Sequence, residues 1–355
     1  MNEVRASAPG RVNLIGEHTD YNGGYMLPTT LPLETSVALT PRSGRTVAAR
    51  SLDLPSEATA EFEIGREAQR RSWIDYVQGV TWAMRDHADQ ISGFDLVVTS
   101  TLPIGKGLSS SASLEIAVAR ALNSAFDLEM TDLDIAMLCH RAETDFVGAP
   151  VGIMDQMVCS LGDVTHALFL DAATLQAEKI PFPEHMEIGV VDSGLSHSHA
   201  SGEYRTRRRE CEEAAAHLNV PWLGVLTIDD LPRLADLRPP LHRRARHVVT
   251  ENARVLASVE ALRAGDTAIL GRLFLESHAS MRDDFEISTP DIDRLVEIAA
   301  GDPDVFGARL TGGGFGGAVV IICARGSARI VTHRTAAEYS KTTARDGRAL
   351  VPVPQ

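Results

Sequence analysis

Apolar residues recur along this chain with two periods, and the period predicts the elements. Spacings of three and four, the helical signature, run over Ser110–Phe126, Thr131–Val147 and Gly152–Leu161. They return over Glu203–Leu218, Val248–Leu262, Thr267–Ser280 and Pro290–Ala299, the last with proline at the first helical position. Short β-branched runs at Asp95–Thr99, His166–Leu170, Glu187–Val191, Ala308–Leu310 and Ala318–Cys323 predict strands. The second helix has the sharpest ends. Thr131 and Asp134 are spaced to cap its start, and Gly148 follows its end. Its stripe is Ile135, Leu138, Cys139, Ala142 and Phe146, with Glu143 at the edge. Helices and strands mix without strict alternation, which predicts an α+β fold. A chain of 355 residues suggests about two domains. The change of pattern after Gly162 puts the cut near residue 180, giving an N-terminal domain over 1–180 and a C-terminal domain over 181–355.

Composition narrows the classes. Hydrophobic residues are 44% and charged residues 23%, enough apolar material for a core without disulfides or metals. With 34 Lys and Arg against 48 Asp and Glu, the net charge is −14. That argues against a general binder of nucleic acid or anionic membranes, whose affinity rests on cationic side chains. The cysteines, Cys139, Cys159, Cys211 and Cys323, are far apart and form no C-x-x-C pair, so buried thiols in a reducing compartment are expected. The opening MNEVRASAPGRVN has no apolar signal region, and the longest apolar run, Ala318–Ala324, falls far short of the ~20 residues of a membrane helix. The expectation is a cytoplasmic monomer whose partners are small molecules, not nucleic acid or membrane.

Candidate chemistry lies in glycine-rich stretches. In PIGKGLSSSAS (Pro103–Ser113), glycines lead into the helix that begins near Ser110. Unpaired N–H groups and the positive dipole end of a helix make an anion site, and serine hydroxyls add donors and a possible Mg²⁺ ligand. A Ser-capped helix after a glycine turn is the plainer alternative. The stretch is not a P-loop, because Ser100 and Gly107 stand where that motif needs Gly and Ser or Thr. Nor is it a dinucleotide fingerprint, because Ser110 takes the third glycine's place. In LTGGGFGGAVV (Leu310–Val320) the glycines Gly312, Gly314 and Gly317 fit G-x-G-x-x-G, but a β-branched run follows, so the element is a hairpin. It either lets a ligand or backbone come close or is a tight turn alone. SAPGRVNLIGEHTDYNGGYMLP (Ser7–Pro28) packs Arg11, Glu17, His18, Asp20 and Asn22 together, carboxylates that accept from sugar hydroxyls beside an arginine that can neutralise phosphate.

Taken together these stretches resemble the motifs of galactokinases, within the GHMP small-molecule kinase family. GRVNLIGEHTDYNGGYMLP resembles the galactokinase signature, PIGKGLSSSASLE the family's ATP motif and TGGGFGGA its third motif. RAETDFVGAPVGIMDQ and SHASMRDDFEISTPDIDRLVEIA add to the similarity, which runs from about Ala8 to Val320. The resemblance implies two α+β domains with the active site in the cleft between them, and ATP- and Mg²⁺-dependent phosphorylation of the C1 hydroxyl of α-D-galactose. It implies that Asp155 is the catalytic base and Arg11 the arginine beside it. It assigns Glu17, His18, Asp20 and Tyr204 to the sugar, Gly105, Gly107, Ser109, Ser110, Ser111 and Trp73 to ATP, and Ser111 with Glu143 to Mg²⁺. The arginine run after Tyr204 reads as a solvated helix face, from the spacing of Glu203, Arg207, Arg209 and Glu213. His197 and His199 are not read as ligands.

The chain departs from the galactokinase pattern at Lys106, which replaces a small residue, at Asp192-Ser193-Gly194, which replaces an Asn-rich strand end, and after Tyr339. Rival functions are a GHMP kinase for arabinose, galacturonate or N-acetylgalactosamine, and a galactose/ATP sensor without catalysis. The presence of Asp155, Arg11 and Glu143 counts against the sensor.

Overall fold

The computed structural model describes residues 2–54, 59–195 and 200–350. His197, His199 and the terminal VPVPQ lie outside the described residues. The chain begins with β1 (Val4–Asn13), a 3-10 turn (Asp20–Asn22), β2 (Tyr25–Met26), β3 (Pro28–Pro41), β4 (Thr46–Ser51) and β5 (Ala60–Glu63). Next come α1 (Ile74–Ala83), β6 (Phe94–Ser100), α2 (Ser110–Ala125), α3 (Asp132–Arg141), a π-helical turn (Ala142–Val147) and α4 (Met154–Leu161). After these lie β7 (His166–Asp171), β8 (Gln176–Pro181), β9 (Met186–Asp192), α5 (Ala200–His217), α6 (Leu241–Ala264) and α7 (Thr267–Asp283). The described chain closes with α8 (Pro290–Ala300), β10 (Val305–Thr311), β11 (Ala318–Ala324), α9 (Ala328–Thr342) and β12 (Arg348–Ala349).

These elements gather into two compact units that interleave in sequence. The first comprises Met1–Arg11, Thr30–Ile104 and Leu108–Gly162, and the second Val12–Thr29, Gly105–Gly107 and Asp163–Gln355. The expected cut near residue 180 divides the sequence, whereas this grouping is spatial. The sugar-motif loop and a piece of the phosphate loop therefore count with the second unit.

In the first unit a five-stranded sheet, β1-β3-β6-β4-β5, accompanies helices α1 to α4. The second half of β3 shows period-2 burial, with Thr35, Val37, Leu39 and Pro41 in and Ser36, Ala38 and Thr40 half-exposed. Its prolines hid it from the strand reading. Helix α2 packs against α1, α3 and α4 and is buried nearly all round, which its alanines permit. At α3 the cap is the expected box: Thr131 accepts from Asp134 N, and Asp134 returns the bond to Thr131. The helix expected over Thr131–Val147 is α-helical only to Arg141. It then widens into the π-helical turn, which ends at left-handed Gly148.

In the second unit a four-stranded sheet, β10-β11-β9-β12, packs against helices, and a three-stranded sheet, β2-β7-β8, lies beside α6. The β10–β11 pair is the expected hairpin, in register from Thr311 with Ala318 down to Gly307 with Ile322, after which the register shifts before Val305 meets Cys323. Its core joins Leu310, Ile321 and Val331 to Phe285, Ile287 and Leu295. Helix α6 begins at Leu241, seven residues before the apolar pattern begins. Its first turns, LHRRARH, look polar, but Arg244 and His247 are buried. Arg244 is paired with Glu210 and Glu286, so an ion-paired core replaced the apolar stripe. All four cysteines are free and buried. Among the described residues no helix is long and apolar enough to cross a membrane.

Candidate active site

In the first unit the site is built around Asp155, in the first turn of α4 with its side chain 21% exposed. Arg11, in β1, meets it as a fork: Nε donates to Oδ1 at 2.6 Å and Nη2 to Oδ2 at 2.6 Å. Ser109 Oγ also donates to Asp155 Oδ2. Ser109 is the N-cap residue of α2, with left-handed φ of 58°, and its side chain makes no cap. The Ser-capped alternative thus falls. The first-turn N–H groups of α2, beside Ser110 and Ser111, thus have no cap from the Ser109 side chain, and the positive end of a helix favours an anion.

Behind Asp155 lies an acidic cluster. Glu143, in the π-helical turn, is 4% exposed and lies well inside the stripe it was expected to edge. Gln156 Nε2 donates to its Oε2 at 2.6 Å, and Ser111 bonds to it through its side chain. Burial and then the Asp155 charge push the Glu143 carboxyl up to about 7. Glu115, from the core face of α2, is fully buried, and neither of its oxygens meets a hydrogen bond of good geometry. Burial, then the Glu143 charge, pushes its carboxyl well above the ordinary range. Gln156 beside it leaves Oε1 unmatched, so a protonated Glu115 brings the donor that amide oxygen lacks. Tyr76, on α1, is pushed up to about 12 by burial and by Glu143 and Glu115. Trp73 is half-buried at the start of the same helix.

No cluster of three His, Cys, Asp or Glu side chains able to hold a metal occurs among the described residues. Ser111 and Glu143 nevertheless make an all-oxygen pair in surroundings short of positive charge, with the unmatched oxygens of Glu115 nearby. That donor set fits Mg²⁺, which keeps several waters and takes few protein ligands.

In the second unit the sugar-motif loop is held from beneath. Glu17 is buried; its Oε1 accepts from Gly312 N at 2.7 Å, and its Oε2 accepts from Asn13 Nδ2 at 2.5 Å and pairs with Arg309 at 2.9 Å. Arg309, in β10, also donates from Nη1 to Leu14 O at 2.7 Å. Glu251, on α6, accepts from Gly16 N at 3.0 Å and Ser277 Oγ at 2.7 Å, and pairs with Arg254 at 2.8 Å. Opposing cations hold Glu251 well below the usual carboxylate range despite its burial. One network thus joins the loop, the glycine hairpin, α6 and α7.

Above it is an aromatic group. His18, left-handed at φ 61°, donates from Nε2 to Gly313 O at 3.2 Å and accepts at Nδ1 from Tyr21 OH at 2.8 Å. The carbonyl fixes the tautomer, since it can only accept. Rings of Tyr204 and Phe285 lie 4.9 and 4.8 Å from the His18 ring. Burial pushes His18 down to about 3, so it is neutral. Asp20 opens the 3-10 turn and accepts from Tyr21 N. Tyr204 meets the loop from α5, its ring against those of His18 and Tyr21, and Tyr21 carried no signal of its own. Arg207 is no solvated residue. It donates to Phe285 O at 2.6 Å and Glu286 O at 3.0 Å, fastening the segment after α7.

The glycine hairpin runs left-handed at Gly312, Gly314 and Gly317. A side chain at Gly314 would meet Ile287 at 2.6 Å, so the loop needs that glycine for close approach. Gly105 and Gly107, in the phosphate loop, are also left-handed, and Lys106 between them pairs with Asp192 at 2.8 Å. Arg309, Glu251, Gln156 and Glu115 escaped the sequence reading. Glu115 had one signal, a carboxylate inside the apolar run ASLEIAVA.

The sequence matches descriptions of known families at three places: a "GHMP kinases N terminal domain" over residues 75–163, a "Galactokinase galactose-binding signature" over 2–41 and a "GHMP kinases C terminal" region over 258–341. Mevalonate kinase of Methanococcus jannaschii shares the fold at a TM-score of 0.68 and 19% identity, over 98% of this chain and 97% of that one. Fold and motifs together define a GHMP kinase. A galactokinase of Roseiflexus sp. (strain RS-1) is 42% identical over 96% of this chain and 89% of its own length, and one of Streptomyces coelicolor is 41% identical over 98% and 92%. The structure of Lactococcus lactis galactokinase complexed with galactose superposes at a TM-score of 0.94, with 31% identity, covering 99% of this chain and 93% of that one. The chain belongs to the galactokinase family.

Proposed function

We propose that the protein transfers the γ-phosphoryl group of ATP to the C1 hydroxyl of α-D-galactose, giving galactose 1-phosphate and ADP. The observation that carries this reading is Asp155, gripped by Arg11 and Ser109 within a chain of this family. As the C1 oxygen bonds to the γ-phosphorus and the bond to ADP breaks, the hydroxyl proton passes to Asp155. A base so placed contributes roughly 10²- to 10⁴-fold. The fork from Arg11 fixes the carboxylate's plane and puts a positive charge beside the charge that develops. Positioning and charge stabilisation are most of what phosphoryl transfer asks of a protein.

Glu17, His18, Asp20 and Tyr204 form the sugar side, supported by the buried network that fixes their loop. Gly105, Gly107, Ser109, Ser110 and Ser111 form the phosphate loop, with Trp73 on the adenine side. Ser111 and Glu143 would hold Mg²⁺, which when bound neutralises phosphate charge. The family matches at 75–163 and 258–341 fall on either side of residue 180 and support that cut as the domain boundary. Buried free thiols support a reducing, cytoplasmic setting.

The test is ADP release from Mg-ATP with a panel of free sugars. Galactose should give the highest kcat/KM. A clear preference for arabinose, galacturonate or N-acetylgalactosamine would move the assignment within the class, and sugar binding with no ADP release would make the protein a sensor.

A further inference from the structure

The departures Lys106 and Asp192 meet in space. Lys106 Nζ lies 2.8 Å from Asp192 Oδ2, with the lysine side chain 33% exposed and the aspartate 1%. Asp192 ends β9, pairing in register with Ala318 of β11 and Arg348 of β12, so it stands on the interior of a sheet. Its Oδ1 accepts from Gly194 N at 3.1 Å, and its Oδ2 has no hydrogen-bond partner among the described residues besides this ion pair. The next residue, Ser193, donates from its hydroxyl to Gly317 O at 2.7 Å, in the glycine hairpin. One corner of the sheet thus holds both glycine-rich loops. A side chain on Gly312 would come within 3.8 Å of Gly107 O, so the loops run close together.

A buried carboxylate that loses its cation is strongly disfavoured, so the ammonium is held where it is. An ammonium has three donors, and Asp192 uses one. One third of the Lys106 side chain is exposed, and its flexible stem is already immobilised by the ion pair. We propose that Lys106, steadied by Asp192, is a phosphate-binding cation of the nucleotide site, and that Asp192 is its positioning residue. The inference rests on the kinase reading above and adds to it a nucleotide contact and the buried residue that aims it.

The experiment is calorimetric titration of the full chain with Mg-AMP-PNP and Mg-ADP, for the unaltered protein, Lys106→Met, Asp192→Asn and the double variant, with the galactose KM measured in parallel. Lys106→Met should weaken nucleotide binding about tenfold, as loss of a charge-assisted hydrogen bond does. Asp192→Asn should weaken it about three- to tenfold through loss of aim. The double variant should be no weaker than Lys106→Met, because the aspartate acts only through the lysine. The galactose KM should stay within about twofold, which a general loosening of structure would not allow. Unchanged nucleotide affinity in Lys106→Met overturns the proposal. So does tighter binding in Asp192→Asn, which would make Asp192 a trap that withholds the lysine. Should either single variant fail to fold, the double variant, which leaves no unpaired buried charge, decides: it should bind nucleotide about tenfold more weakly, and unchanged affinity overturns the proposal. Failure of the unaltered protein to bind nucleotide at all would instead overturn the kinase reading.

Discussion

Both compact units bury carboxylates, and they neutralise them in opposite ways. In the second unit each oxygen of Glu17 and Glu251 has a donor or a cation, and Arg309 lies between the two. In the first unit Glu115, Glu143 and Asp155 gather with Arg11 as the cation that grips Asp155, and Glu115 has no good partner. The second unit's network is a frame, because all its carboxylate oxygens are met within it, and only Arg309 Nε and Asn13 Oδ1 stay unmatched. In the first unit's cluster, by contrast, added positive charge would lower the electrostatic cost. Under the function proposed above, the contrast separates holding the sugar loop from carrying out the chemistry.

The largest effect expected is on turnover. Asp155→Asn should lower kcat by roughly 10²- to 10⁴-fold while leaving the urea midpoint close to that of the parent. Turnover near the parent value would take the base role from Asp155 and leave it as a group that only orients the hydroxyl.

Next comes the frame. Arg309→Met leaves Glu17 and Glu251 buried around an apolar side chain. A broken buried pair costs about 3–5 kcal/mol, so chemical unfolding should show a loss of that size. A loss under about 1 kcal/mol would mean that the network is not the frame of the loop.

Acid should strike the second unit through its histidines. Burial holds His18 down to about 3 and His247 and His278 down to about 4, while the unfolded chain has ordinary imidazoles near 6.5. The folded state therefore binds fewer protons than the unfolded state in between. Stability is full above about pH 6.5 and falls as pH drops toward 4, by on the order of 1–2 kcal/mol per imidazole at pH 5. Urea midpoints across that range check this, and a flat profile would contradict neutral buried histidines. The smallest effect is at Glu115. If it is a neutral acid, Glu115→Gln keeps shape and charge, and its cost to stability should stay under about 1 kcal/mol. A loss of several kcal/mol would show that the carboxylate is ionised and paired.

Much of this was legible in the sequence because it is local. The Thr131 cap, the glycine hairpin between β-branched runs and the polar loop around Glu17 each lie within a few consecutive residues. What escaped is long-range or polar where a core is expected to be apolar. Arg309 sits between Ala308 and Leu310 in a strand, and its partners Glu17 and Glu251 come from distant segments. The first turns of α6 were lost because Arg244 and His247 fill core positions. The π-helical turn that carries Glu143 inward has no signature in apolar spacing. Lys106 and Asp192 stood out singly, but only the fold shows that they are a pair.

The chemistry turns on which oxygen receives the phosphate. The direct measurement is the phosphorus NMR spectrum of the product formed from Mg-ATP and galactose by the purified chain. A single sugar phosphate coupled to the anomeric proton, with one ADP per phosphate, is the predicted result. Phosphate on any other hydroxyl, or ADP formed with no sugar phosphate, would contradict it.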